Sequence, residues 1–253
     1  MAKYDSYVIC TSPRSGSTLL CDLLTATGIA GVPDSYFHRP SVSDWLASFD
    51  LTPQSAASKQ VILDAIFQAA LARGSGETGI FGLRLQRHSF DFFAQELAIL
   101  HPGHTSDAQR FRAAFGRTLF VHLTRRDTVE QAISYVKARQ TGLWHVASDG
   151  TELERLNPHA EPIYDGAELR NCYETMMAYG RDWRGWFERE NIDPLRISYD
   201  ALSADPLEVL CQVLDRLGVD CNAANGIEPG VKKLADSTNQ DWATRFRSEF
   251  DIA

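Results

Sequence analysis

The chain has 253 residues, 44% of them hydrophobic and 23% charged, with a formal net charge of −8. This composition suits a globular chain with a sizeable core and argues against a protein that holds DNA or RNA through overall positive charge. No apolar run is long enough to span a bilayer. The five cysteines, at 10, 21, 172, 211 and 221, are an odd set without C-x-x-C spacing, which argues against a disulfide framework and against a zinc site.

Residues 4–10, with apolar Tyr7-Val8-Ile9-Cys10, read as a first strand, which leaves no room ahead of it for a signal peptide. A reducing, cytoplasmic location is the expectation. A helix is predicted over 18–27, with Leu19, Leu20, Leu23 and Leu24 on one face and a stop at Thr27-Gly28. Residues 29–54 contain Pro33, Pro40 and Pro53 and no periodicity, and read as a long irregular segment. Val61, Ile62, Ala65, Ile66, Ala69 and Ala70 mark an amphipathic helix ending near Gly74-Ser75-Gly76. Ile80 to Leu85 is a second strand, and Phe92, Phe93, Leu97 and Leu100 a further helix, broken at Pro102-Gly103-His104.

Thr118 to Thr124 is a third strand, and a helix runs from about Asp127 to Thr141. Residues 145–163 are polar and irregular, and a long helix covers roughly 166–190. Leu195 to Tyr199 is a short fourth strand, Asp205-Pro206 opens a helix that stops at Gly218, and a last helix starts near Gln240. Strands alternating with helices imply an α/β fold, a single P-loop-like domain over residues 1–253 with a mostly parallel sheet and helices on both faces. Such sheets bind ligands at the carboxyl ends of their strands. The loops after strands one and three lie there, which brings Arg14 near Arg125-Arg126.

Thr11 to Thr18 reads T-S-P-R-S-G-S-T, between the first strand and its helix. A strand–loop–helix turn points backbone N–H groups and the positive end of a helix dipole at one spot. Arg14 adds a charge there, and Ser15, Ser17 and Thr18 add hydroxyl donors, so a phosphate-like group is the natural occupant. The loop differs from the nucleoside-triphosphate version, because Ser17 stands where that motif needs lysine. Positive charge is otherwise clustered in pairs: Arg84 with Arg87, Arg125 with Arg126, Lys232 with Lys233, Arg245 with Arg247. An acidic protein with local basic clusters can bind a small polyanion while remaining unattractive to nucleic acid.

T-S-P-R-S-G-S-T resembles the loop by which sulfotransferases hold the 5′-phosphosulfate of PAPS, 3′-phosphoadenosine-5′-phosphosulfate. The branch it resembles is that of the bacterial carbohydrate sulfotransferases, which includes trehalose 2-sulfotransferases. The likeness continues in order through Ala26-Thr27-Gly28-Ile29-Ala30-Gly31, Phe81-Gly82-Leu83-Arg84-Leu85, Arg125-Arg126-Asp127 to Ser134-Tyr135, Trp183-Arg184-Gly185-Trp186-Phe187, Lys232-Lys233-Leu234-Ala235-Asp236 and Asp241-Trp242. It is weakest over residues 40–75 and 145–165.

The resemblance implies PAPS as co-substrate, PAP as product, and no metal. Pro13 to Thr18 would hold the phosphosulfate, with Arg14 against the bridging oxygen and Arg84 facing the sulfate. The 3′-phosphate would lie between Ser134 and either Arg126, eight residues before it, or Arg125, nine before it. Tyr199 would pack near the adenine, and Lys232, Lys233 and Trp242 would belong to a covering element. Leu234 replaces the glycine usual after that basic pair. The family's glutamate base shortly after G-x-P corresponds to Ser35, which cannot act as a base. Asp34 stands one position earlier and His38 three later, while the histidine of the animal-type branch corresponds to Gln86, with His88 two beyond. The order of preference is Asp34, His38, His88.

The activity implied is in-line transfer of a sulfuryl group to a hydroxyl of a carbohydrate-like or small-metabolite acceptor. The competing readings are a catalytically silent PAP-binding protein and, behind it, a P-loop small-molecule kinase. The acceptor, a small molecule or glycan, is expected to meet residues from 32–60 and 137–165, which contain His38, Arg39, Trp45, Gln140, Trp144 and His145. The resemblance also implies a homodimer.

Overall fold

A strand that is apolar at every position needs cover on both of its faces, which a parallel sheet between two helical layers supplies. The computed structural model describes residues 2–52, 57–147, 149–230, 234 and 236–252. In it β1 (Ser6–Thr11) is buried along its whole length. It pairs in parallel with β2 (Phe81–Gln86) on one side and β3 (Thr118–Thr124) on the other, and β3 pairs in parallel with β6 (Leu195–Ser198). The order β2-β1-β3-β6 reverses direction at β1, so the loops after β1 and β3 diverge around a crevice at the carboxyl edge.

Alternation along the strands divides the core. Tyr7, Ile9, Leu119, Val121, Leu123 and Ile197 face α1 (Ser17–Ala26), α8 (Tyr199–Ala204) and α9 (Pro206–Leu217). Val8, Cys10, Leu83, Leu85 and Phe120 face the opposite layer: α2 (Val42–Ser48), α3 (Lys59–Ser75), α4 (Arg87–Leu100), α5 (Asp107–Phe115) and the end of α7 (Gly166–Arg189). A third cluster joins α6 (Thr128–Thr141), α7 and α10 (Ser237–Phe250). Trp183 of α7 is buried beside Phe90 and Trp186, and its indole N–H donates to the carbonyl of Thr11, the last residue of β1, at 2.8 Å. Truncating a buried tryptophan of this kind costs about 3–5 kcal/mol.

Several elements depart from the sequence expectation. The irregular segment 29–54 contains α2, a helix too short to show a period but capped by Ser41, whose side chain accepts from Asp44 N–H. The region after Pro102 contains α5, capped by Ser106. The polar stretch 145–163 holds much of an antiparallel hairpin, β4 (Leu143–Val146) with β5 (Glu152–Arg155), whose strands lack apolar alternation. The fourth strand stops at Ser198, so Tyr199 opens a helix. No described helix is long and apolar enough to cross a membrane.

The cysteine expectation is also corrected. Cys211 of α9 is bonded to Cys221, which opens a 3₁₀ turn at Cys221–Ala224, while Cys10, Cys21 and Cys172 are free. The cysteine pattern therefore no longer argues for a reducing compartment. Thiol titration in denaturant should find three reactive thiols, rising to five after reduction. The Cys211→Ser/Cys221→Ser double variant should lose about 2–3 kcal/mol, since the bond closes a short loop in the unfolded chain.

His122 of β3 is buried on the α7 side, its ring centroid 5.1 Å from that of Phe187. Burial, with Arg184 and Arg196 adding positive charge, pushes its pKa from 6.5 down to about 4. The unfolded chain therefore binds the proton more readily, and this group costs stability as pH falls from about 6.5 to about 4, by up to roughly 3 kcal/mol. Urea unfolding of His122→Phe should show a shallower loss over that window than the parent protein.

Candidate active site

A cavity of about 900 Å³ opens at the carboxyl edge of the sheet. Its wall comes from the loop after β1, the ends of β2 and β3, α6, the β4–β5 hairpin and α7. The first orphan N–H groups of a helix require an acceptor, and most helices here find one in the side chain of the residue just before them. Helices α2, α3 and α5 to α10 all have such a cap. Among the described helices only α1 and α4 have none. Both begin on the cavity wall, α1 at Gly16-Ser17-Thr18 and α4 at Gln86 and His88.

The loop before α1 carries backbone strain. Arg14 has φ 61° and Gly16 φ 85°, both left-handed, the first unusual for a residue with a side chain. The loop is tied down around them. Thr11 Oγ1 donates to the carbonyl of Leu123 at 2.9 Å, the Ser15 and Thr11 hydroxyls meet at 2.5 Å, and the Gln131 amide of α6 donates to the carbonyl of Pro13 at 2.6 Å. A Cβ on Gly16 would stand 2.8 Å from the Tyr199 ring and 3.3 Å from Leu202.

Arg14, Arg84 and Arg125 bring guanidinium groups to the cavity from three different elements, and Arg139 of α6 also stands in its wall. Arg14 donates from Nε to Ser134 Oγ (3.0 Å) and from Nη1 to the carbonyl of Trp144 (2.7 Å). It has no carboxylate partner among the described residues, and burial together with the charge of Arg125 pushes its pKa down to about 10. Arg84 donates to Ser35 Oγ (2.7 Å), Thr18 Oγ1 (2.9 Å) and Asp34 Oδ1 (3.2 Å). Arg125 lies over the Tyr199 ring at 4.6 Å, with Glu130 at 3.6 Å. An uncapped helix start beside a half-buried, uncompensated cation is an anion site.

The sequence profile of the Stf0 sulphotransferases matches residues 6–249. The chain belongs to the Stf0 sulphotransferase family. It is an enzyme that transfers a sulfuryl group. Two relatives are trehalose 2-sulfotransferases. That of Mycobacterium tuberculosis is 29% identical over 96% of this chain and 94% of that protein, and that of Mycolicibacterium smegmatis 28% identical over 96% and 95%. Among solved structures, a sulfotransferase from Alicyclobacillus acidocaldarius superposes with a TM-score of 0.44 at 14% identity, covering all of this chain and 98% of that one.

Of the residues singled out in the sequence, Pro13, Arg14, Gly16, Ser17, Thr18, His38, Arg84, Arg125, Ser134 and Tyr199 line the cavity. Others do not. The Ser15 hydroxyl is buried against Thr11 and gives the cavity no donor. Arg126 is exposed and outside the lining, whereas Arg125 stands in it. Asp34 is exposed, paired with Arg84 and also outside the lining, so its carboxylate is spent on an ion pair rather than turned to the cavity. Trp242 is buried in the α6–α7–α10 cluster against Tyr164, not in the cavity wall. Trp45 packs in the core against Phe37 and Phe92, and Arg39 pairs with Asp44 away from the wall. Lys232 and Lys233 lie outside the described residues, although their neighbours Pro229 and Leu234 line the cavity.

Sequence reasoning passed over Asn171, Thr175 and Tyr179 of α7 and Glu154 of β5, all in the cavity wall. The first three recur every four residues, a polar stripe on one helix face that was legible as such. Glu154 had no signal, because the hairpin itself did not. Gly16 is needed for its left-handed backbone and for contact with Tyr199. Gly16→Ala should therefore cost about 1–3 kcal/mol. In a Tyr199→Ala background the part due to the clash should vanish, a coupling of about 0.5–2 kcal/mol readable from denaturant unfolding of the four proteins.

Proposed function

We propose that the enzyme moves the sulfuryl group of PAPS to a hydroxyl of a carbohydrate acceptor by in-line attack, with PAP leaving. The observation that carries the donor assignment is Arg14, a half-buried cation with only neutral hydrogen-bond partners, set beside the uncapped start of α1. PAPS needs two anion pockets, and the cavity wall offers two groups of donors. Ser17, Thr18 and the free N–H groups of α1, with Arg84 behind Thr18, suit the phosphosulfate. Arg125 and Ser134 suit a separate phosphate, and Tyr199 gives the nucleotide an aromatic surface beside them. Arginine keeps its proton near neutral pH, so Arg14 and Arg84 act by charge on the sulfate and the leaving oxygen. Ser17 stands where the nucleoside-triphosphate loop has the lysine that reaches the outer phosphates, which favours PAPS over a nucleoside triphosphate.

The acceptor half of the cavity mixes Tyr135, Trp144 and Tyr179 with Asn171, Thr175 and Glu168. Aromatic faces among hydrogen-bonding groups suit a sugar. The two relatives named for trehalose make that disaccharide the first acceptor to try. We read residues 1–253 as one sulfotransferase domain, because segments from along the whole chain share the two faces of one sheet. We also read it as a cytoplasmic protein that works on small molecules or glycans without nucleic acid, as a homodimer whose mass sedimentation can check.

Turnover of labelled PAPS with trehalose and a panel of other sugars tests the reaction, and transfer of label to none of them counts against it. Calorimetry tests the donor site. PAP should bind much better than AMP, and Arg125→Ala should remove about 10- to 100-fold of that preference, the worth of one charged hydrogen-bonded contact. Arg126→Ala should leave the preference intact. Equal affinity for PAP and AMP in the parent protein would overturn the two-pocket assignment.

A further inference from the structure

The reaction requires a group to take the acceptor's proton, and Asp34 is committed to Arg84. His38 and His88 stand edge to face at 4.8 Å on the cavity wall, and the His88 Nε2–H donates to the carbonyl of His38 at 3.1 Å, but neither has a carboxylate within salt-bridge distance among the described residues. Among the described residues one imidazole in the cavity wall has such a partner. His145 of β4 lies across the start of α1, its Nε2 3.3 Å from Thr18 Oγ1 and 3.4 Å from Glu154 Oε2 of the paired strand β5. Thr18 Oγ1 in turn receives Arg84 Nη1 at 2.9 Å. His145 therefore borders the same anion site as Arg84, on the hairpin that also supplies the Trp144 carbonyl to Arg14.

Resting on the sulfuryl-transfer reading above, we propose that His145, oriented by Glu154, is the proton acceptor of the reaction. The Glu154 carboxylate, in charge contact with Nε2 at 3.4 Å, favours the tautomer with the proton on that nitrogen. That leaves the lone pair on Nδ1, which has no hydrogen-bond partner among the described residues. The proton passes from the acceptor hydroxyl to Nδ1, and the acceptor oxygen forms the new bond to sulfur. The bond from sulfur to the bridging oxygen breaks, and its electron pair stays on the departing 5′-phosphate of PAP. Glu154 is a positioning residue that stabilises the imidazolium so formed.

The charges around the ring make this base dependent on the donor. Arg14 from the loop after β1, Arg84 from β2 and Glu154 from β5 face it. Burial first, then Arg14 and Arg84, hold its pKa at about 4 in the free protein. An anionic donor neutralises both guanidiniums and leaves Glu154 as the charge that acts on the ring. The imidazole pKa then rises toward the working pH, and the base becomes effective only with the donor in place.

The test has two readouts. In NMR titrations of protein with ¹⁵N-labelled histidine, the His145 pKa should rise by about one unit or more when PAP saturates the protein, and Glu154→Gln should reduce that rise. In steady-state kinetics with PAPS and a sugar found by the panel, His145→Gln should lower kcat by roughly 10²- to 10⁴-fold while PAP affinity changes less than about threefold. Glu154→Gln should lower kcat less and move the acid limb of the kcat profile to lower pH, because losing the carboxylate makes the imidazole a weaker base. A purely structural Glu154 would leave that limb in place. A wild-type rate in His145→Gln, or a loss confined to His38→Gln or His88→Gln, overturns the assignment. Failure of PAP to bind the parent protein overturns the donor reading and this one with it, whereas PAP binding with an unmoved His145 pKa overturns this one alone.

Discussion

Arg14 sits in a left-handed backbone conformation at the end of the central strand, and its guanidinium touches neutral oxygens only. Both features cost free energy. A non-glycine residue with positive φ is worth of order 1 kcal/mol or more, and a partly desolvated charge without a counter-charge adds to it. The surrounding structure over-determines the loop and holds it there. Trp183 from α7 takes the Thr11 carbonyl, Thr11 takes the Leu123 carbonyl of β3, and Gln131 from α6 takes the Pro13 carbonyl. Each tie depends on a different part of the core, so the sheet order, the α7 tryptophans and the placement of α6 all converge on one turn. A rigid turn with an unmet demand for negative charge is a site prepared for an anion.

The electrostatics are local and opposed to the protein's overall sign. The chain carries a net −8, yet guanidinium groups from three loops or strands meet at one cavity. Their compensation is uneven. Arg84 has Asp34, Arg125 has Glu130 at longer range, and Arg14 has none among the described residues. A small polyanion is thus attracted at short range, while the acidic remainder disfavours extended nucleic acid. The same field acts on its neighbours. It lowers the pKa of His145, and it repels within itself, since Arg125 lowers the pKa of Arg14. Negative charge arriving in the cavity relaxes both effects together.

Much of this was legible along the chain because it is local. T-S-P-R-S-G-S-T between an apolar strand and an apolar helix specifies a strand–loop–helix turn by itself, and Thr118 to Thr124 reads as a strand with the bounds it has in the structure. Elements that depend on capping rather than periodicity were lost. Helix α2 has seven residues and α5 nine, too short to show an apolar repeat. In the β4–β5 strands only Val146 is buried, so no core face imprints alternation on them. The Cys211–Cys221 bond joins the middle of one helix to the turn beyond Gly218, a proximity that spacing alone does not reveal.

The sequence by itself determined the α/β class and the polar strand–loop–helix turn after the first strand, because each follows from neighbours along the chain or from a pattern of residue types. The tertiary structure decided direction. Arg125 stands in the cavity wall and Arg126 outside it, though they are adjacent, since Arg125 packs on the Tyr199 ring while Arg126 is exposed. Asp34 meets Arg84 because the backbone around it bridges to β2, which turns its carboxylate to the guanidinium. Trp242 is drawn into the core by the packing of α10 on α6 and α7. His145 and Glu154 become a pair only through the cross-strand register of the hairpin. Which way a side chain points, and what meets it there, is set by contacts between segments far apart in sequence, and only the folded chain contains them.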